Sequence, residues 1–242
     1  MVRILAVSDE ELISGREAVI DNYVTEDIDV LLNCGDVSPS YLEYIIMKFK
    51  PMNTIMVHGN HDKVFYAADK DKIEDDNGFS GVYQGSYVLT DGLYQMENPN
   101  DGTKLNICGF SGAYAYGEWP FYYDEKRASK FVKSLGMKDF FNNLDQLDIM
   151  MSHSAPKIDD YLPDVDHHHR PSEEIAQIHK KFKPRMWFYG HIHPRYTDEE
   201  LDHKIEDEGS ETYLINAVPF KVIEYDKETG DVSIINSFDK EG

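Results

Sequence analysis

Four short polar clusters each follow a run that reads as a buried β-strand: Asp9-Glu10-Glu11, Gly35-Asp36, Gly59-Asn60-His61-Asp62 and Gly190-His191-Ile192-His193. His153 does the same after Leu147-Asp148-Ile149-Met150-Met151. Carboxylate, amide and imidazole groups collected at strand ends are the donors that a pair of divalent cations needs. Two cations about 3.5–4 Å apart can clamp the attacking and leaving oxygens of an in-line displacement at phosphorus. Asp36 offers a bridging carboxylate, with Gly35 permitting close backbone approach. Asn60 offers a neutral oxygen, and His191 and His193, two apart, can reach neighbouring cations. His61 sits between Asn60 and Asp62, whose carboxylate could orient its ring. A histidine so placed suits a general acid or a stabiliser of charge on the phosphoryl group. The expectation is a two-metal hydrolase.

Such clusters meet only if the strands before them run parallel. Residues 3–7, 29–34 and 53–58 read as strands, with helices over 14–23 and 39–49, where Pro39 suits a first helical turn. Asp9 to Asp36 is 27 positions and Asp36 to Asn60 is 24, each enough for one strand-plus-helix unit. Parallel strands so joined bring their carboxyl ends to one sheet edge, where ligands bind. Further on, strands are expected at 86–90, 93–97 and 104–110, separated by the turn signals Asp91-Gly92 and Asn98-Pro99-Asn100-Asp101-Gly102. Helices are expected at 124–135, 137–144 and from Pro171 to 182, with strands at 147–151, 186–189, 213–216, 221–225 and 232–236. The acidic stretches 69–76 and 198–211 read as solvated loops. With no repeat, linker or composition break, residues 1–242 are expected to form a single domain.

The chain has 24 basic and 45 acidic residues, a formal net charge of −21. That field repels phosphate backbones, which argues against nucleic-acid binding by a basic face. It also means a phosphate substrate must be held by local cations, which bound metals would supply. The partner expected is a small phosphorylated molecule. The sequence carries no signal for a particular oligomeric state. Cys34 and Cys108 lie in strand-like runs and read as buried, reduced thiols. The first hydrophobic run is too short for a signal peptide and no window approaches a membrane span, so a cytoplasmic protein without membrane attachment is expected.

Together these blocks resemble the calcineurin-like metallophosphoesterase superfamily, whose pattern is Asp-x-His, Gly-Asp, Gly-Asn-His-Asp/Glu, a separate His, then Gly-His-x-His. The resemblance runs from the first strand to about Asn216, and four of five blocks match. It implies a four-layer α/β/β/α sandwich of two mixed β-sheets flanked by helices. It implies that Asp9, Asp36 and His193 bind one metal while Asp36, Asn60, His153 and His191 bind the other. His61 would face the substrate phosphate, and a hydroxide between the metals would attack phosphorus in a mono- or diester.

The first block departs from the pattern, since Glu11 stands at the histidine's place. Bound, Glu11 would add a third carboxylate to the first site and favour manganese or iron, with zinc, magnesium and nickel still compatible. Pointing away, it would leave that site one ligand short. This departure feeds an alternative from another class: a catalytically weak scaffold using the same fold as a binding platform. Retention of His61 argues against it. Elsewhere, His167-His168-His169-Arg170 reads as an exposed loop that could place His169 or Arg170 at the cleft mouth, and Arg195 is a further candidate for anion contact. His58 falls outside the pattern and suits a packing role. The aromatic run 114–123 suits loop packing.

Overall fold

The computed structural model describes residues 1–62, 79–83, 86–98, 102–114, 121–142 and 146–238, without side chains at 79–83 and 137–142. Two large mixed sheets stack face to face. The first has the order Val232–Ser237, Phe220–Tyr225, Val2–Val7, Val30–Asn33, Asn53–Met56, Ser86–Leu89, Phe79–Tyr83, parallel from Val2–Val7 to Ser86–Leu89. The second has the order His203–Asp207, Ser210–Asn216, Met186–Tyr189, Ile149–Ser152, Lys104–Phe110, Asp91–Glu97, with its four inner strands parallel.

Side-chain alternation builds the layers. Ile4, Ala6, Leu32 and Ile55 of the first sheet face Ile149, Met151, Met186 and Phe188 of the second in one buried cluster between the sheets. Their neighbours Leu5, Val7, Leu31 and Met56 point the other way, onto Tyr41, Leu42 and Ile45 of helix Pro39–Phe49. Met150, Trp187 and Tyr189 face Phe131 of helix Glu125–Asn142 and Ile175 of helix Glu173–Phe182. Helix, sheet, sheet and helix therefore follow in order, the sandwich expected. Both cysteines are buried and free. Among the described residues no helix is long and apolar enough to cross a membrane.

Several local expectations are corrected. The stretch 14–23 is not a helix but a hairpin, Ile13–Ser14 against Glu17–Ala18, followed by the 3-10 turn Ile20–Asn22. Gly15, at φ 67°, closes that turn with the positive dihedral a tight hairpin needs. Asp91-Gly92 is no turn: it opens the strand Asp91–Glu97 and pairs with Phe110 and Gly109. At Thr90 the chain leaves the first sheet for the second. The helices expected at 124–135 and 137–144 are one helix, Glu125–Asn142. Gly136 does not break it; Lys181 Nζ occupies the space a side chain there would fill. The stretch 198–211 holds the strand His203–Asp207, turned by Glu208-Gly209 into Ser210–Asn216, with Ile205 buried beneath its charged face. The strand Phe79–Tyr83 had no counterpart in the sequence reading. The acidic stretch 69–76 and most of the aromatic run, 115–120, lie outside the described residues.

At the far end of Ile149–Ser152 from His153, Asp148 is fully buried. Its carboxylate accepts from Asn106 N at 2.8 Å, Tyr225 Oη at 3.0 Å and Lys227 Nζ at 2.7 Å, tying the two sheets together. Asp148→Ala should lower the free energy of unfolding by about 2–3 kcal/mol, because buried donors lose a charged acceptor. Urea denaturation reads the loss, and an unchanged midpoint would contradict this account of the clamp.

Candidate metal centre

The candidate residues leave the carboxyl ends of parallel strands in both sheets. Ser8-Asp9-Glu10 follows Val2–Val7, Gly35-Asp36 follows Val30–Asn33, and Gly59-Asn60-His61-Asp62 follows Asn53–Met56. His153 follows Ile149–Ser152, and His191 and His193 follow Met186–Tyr189. Backbone bonds stitch neighbouring loops within each sheet: Asp9 N donates to the Gly35 carbonyl at 3.1 Å in the first, and Gly190 N to the His153 carbonyl at 3.1 Å in the second. Asp9, Asp36 and His191 take left-handed backbone conformations, φ 59°, 58° and 65°. A non-glycine residue held there carries strain, and the surrounding bonds must fix it.

The side chains converge. Ligand atoms of Asp9, Asp36 and His153 lie within 4.8 Å of one another. His153 is fully buried, and its Nδ1 donates to the Cys34 carbonyl at 2.9 Å. Its Nε2 lies 3.2 Å from Asp36 Oδ2 and 3.0 Å from Asn60 Oδ1, both acceptors. Two acceptors facing one ring nitrogen require a proton or a cation there. Burial opposes charge on His153, but Asp36 and Asp9 outweigh it and push its pKa up to about 10. Asp36 resists burial through the same partner and is held below the usual carboxylate range. Burial, over the pull of His153 and with the Asp36 charge adding, pushes Asp9 above it.

On the other side, His193 Nε2 lies 3.5 Å from Asp9 Oδ1 while its Nδ1 donates to Glu10 Oε1 at 2.9 Å. Asp9 Oδ2 accepts from Ser8 Oγ at 2.5 Å and His191 N at 2.9 Å. The Nε2 of His191 donates to the His168 carbonyl at 2.7 Å, leaving Nδ1 as the lone-pair atom. Burial and the neighbouring His153 charge hold His191 down to about 3, so it stays neutral. Oxygen and nitrogen lone pairs facing a single protonated ring are a donor set that fits divalent cations better than it fits a proton.

The remaining candidates sit around this core. His61 N donates to Asp36 Oδ1 at 2.7 Å and its ring is exposed. Asp62 meets backbone rather than the His61 ring: its Oδ2 accepts from Gly59 N at 2.7 Å and Asp36 N at 3.1 Å. Burial and the Asp36 charge push it up to about 7. Glu11 neither joins the cluster nor faces solvent freely, since its Oε1 accepts from Ser38 N at 2.6 Å, just ahead of helix Pro39–Phe49. His169 packs its ring 5.0 Å from that of His191 and is held by Asp166. Arg170 lies elsewhere, over the Tyr114 ring at 4.5 Å. Arg195 pairs with Glu10 at 3.0 Å. His58 is buried and packs its ring against that of Phe121 at 4.5 Å, the packing role expected. Sequence reasoning missed Glu10 as the link between His193 and Arg195. Its only signal is adjacency to Asp9 within three carboxylates, which does not say which one turns inward.

The sequence model of a family described as calcineurin-like phosphoesterase matches residues 2–195. Among solved structures, the chain is similar to TT1561 of Thermus thermophilus at 14% identity and a TM-score of 0.57, covering 97% of this chain and 98% of that one. It is also similar to Vps29 from Entamoeba histolytica at 13% identity and a TM-score of 0.40, covering 98% and 100%. The first likeness shows a shared fold. A comparison with curated proteins gives no match.

A cation entering between Asp36, Asn60 and His153 must expel the His153 proton, so affinity should climb with pH as long as that proton is bound. Calorimetric titration with Mn²⁺ between pH 7.5 and 9 should show affinity rising about tenfold per unit. An affinity flat over that window would contradict His153 as a donor.

Proposed function

Because this chain belongs to the calcineurin-like phosphoesterase family, we propose that it hydrolyses phosphate esters with two divalent cations held at this centre. Asp9, Asp36 and His193 would hold one, and Asp36, Asn60, His153 and His191 the other. The observation that carries the reading is the meeting of Asp9, Asp36 and His153, from three strands of two sheets, within 4.8 Å. The carboxylate and amide oxygens suit manganese or iron. Bound cations would neutralise the phosphoryl group and acidify the attacking water.

The chain's own residues do the rest. His61, Asp36 and Glu11 line a cavity of about 250 Å³. There the His61 ring can hand a proton to the departing oxygen, the general-acid role. Asp62 acts through backbone: by gripping the amides of Gly59 and Asp36 it fixes the loop that carries Asn60 and His61. Glu10 orients His193 by accepting a hydrogen bond from its Nδ1–H, which leaves the Nε2 lone pair free to ligate. The buried, unlinked Cys34 and Cys108 suit a reducing cytoplasm.

One observation favours a second reading, a binding platform with a weakened metal site: Glu11 spends a carboxylate oxygen on Ser38 N. Mn²⁺-loaded protein should hydrolyse aryl phosphates. His61→Ala should lower kcat about a hundredfold or more for esters with poor leaving groups, with metal content unchanged. Asp36→Asn should cost both metal and turnover. A folded protein inert with manganese, iron, zinc, magnesium and nickel would leave the binding platform as the better account.

A further inference from the structure

Glu11, the residue that departs from the family pattern, has left the metal cluster for the amino end of helix Pro39–Phe49. Two bonds hold it there. Its Oε1 accepts from Ser38 N at 2.6 Å, and the next amide along, Leu12 N, donates to Tyr41 Oη at 3.1 Å. Tyr41 is itself buried against the first sheet. A carboxylate anchored through its own oxygen and through the neighbouring amide keeps its place when a ligand approaches.

That place is in the wall of the cavity of about 250 Å³ that also takes in Asp36 and His61. The cavity thus touches both a proposed metal ligand and the ring proposed to protonate the departing oxygen, so the departing alcohol lies within it. Val37 and Pro39 give it an apolar side. Its carboxylates are not equivalent. Asp36 would be spent on metal, and Asp62 is buried and turned onto the Gly59 and Asp36 amides. Glu11, half-buried, is the carboxylate left to act on an occupant, and among the described residues no lysine or arginine lines the space. A second anion brought in there meets a like charge at short range, whereas a neutral or cationic group does not.

We propose that Glu11 sets leaving-group specificity: it admits esters whose departing alcohol is uncharged or cationic, and excludes those whose departing group carries a further phosphate or a carboxylate. This rests on the hydrolase reading. A water oxygen bonds to phosphorus and the P–O bond to the alcohol breaks. The departing oxygen takes a proton from His61, His61 regains one from solvent, and the attacking water releases one to solvent. A monoester therefore gives free alcohol and phosphate. Glu11 takes no part in these proton transfers; it acts on the charge of the alcohol.

The test compares phenyl phosphate, 4-carboxyphenyl phosphate and tyramine O-phosphate, whose departing oxygens are of similar basicity, on the Mn²⁺-loaded protein. For the carboxylate ester kcat/KM should lie about tenfold or more below that for phenyl phosphate, with the ammonium ester at or above it. Glu11→Gln keeps an acceptor for Ser38 N and changes the net charge of −21 by a single unit. It should still cut the phenyl-to-carboxyphenyl ratio to about threefold or less. Pro39→Lys, which sets a cation on the same wall from the helix, should do likewise, and carries the test if Glu11→Gln fails to fold. Calorimetry with phenylphosphonate and 4-carboxyphenylphosphonate, which are not hydrolysed, reads the same discrimination as affinity. A ratio near one in the unaltered protein, or one that Glu11→Gln (or in its place Pro39→Lys) leaves unmoved, would overturn the assignment even with the esters turned over. Loss of bound manganese in Glu11→Gln would return Glu11 to the metal ligands and overturn it too. Glu11-dependent discrimination between the phosphonates without hydrolysis of any ester would instead sink the hydrolase reading and leave the role of Glu11 standing.

Discussion

Asp9 and Asp36 are buried nearly side by side, their side chains 4% and 7% exposed. Two carboxylates in a low-dielectric interior cannot both ionise without positive charge between them. Within the chain that charge is the His153 imidazolium, and its reach to Asp36 and Asn60 sets the geometry of everything around it. The fold supplies no other buried cation among the contacts described for these two acids. The centre is therefore poised to exchange one proton for metal charge.

Close backbone approach is the cost of that arrangement. A side chain at Gly59 would run into the Asp36 carboxylate, and one at Gly190 into Ser8 and Asp9. The loops can come so near because they leave parallel strands of two sheets stacked on one core, in which Ile4 and Leu32 meet Met151 and Phe188. The Asp148 clamp holds the opposite end of the sandwich. Packing at one end and charge at the other thus serve the same spacing.

Much of this was legible in the sequence because strand-end chemistry and apolar runs are local signals. The blocks around Asp36, Asn60 and His191, and the strands before them, stand where the spacing put them. What stayed hidden depends on tertiary partners. Nothing local tells the hairpin at Ile13–Ala18 from a helix until Gly15 takes its positive φ. Nothing local sends Asp91-Gly92 into a strand of a different sheet from Ser86–Leu89. Among Asp9, Glu10 and Glu11 the three carboxylates look alike in sequence. In the fold they part: one to His193 Nε2, one to His193 Nδ1 and Arg195, one to the Ser38 amide. Asp62 likewise reads as a partner for the neighbouring ring but spends itself on amides 3 and 26 positions away.

Asp36 is proposed to be shared by two ions, and electron paramagnetic resonance of the Mn²⁺-titrated protein tests that sharing directly. Two ions bridged by one carboxylate give an exchange-coupled spectrum that grows in as the second equivalent binds. A spectrum of isolated, uncoupled Mn²⁺ at saturation, or no bound manganese at all, would contradict it.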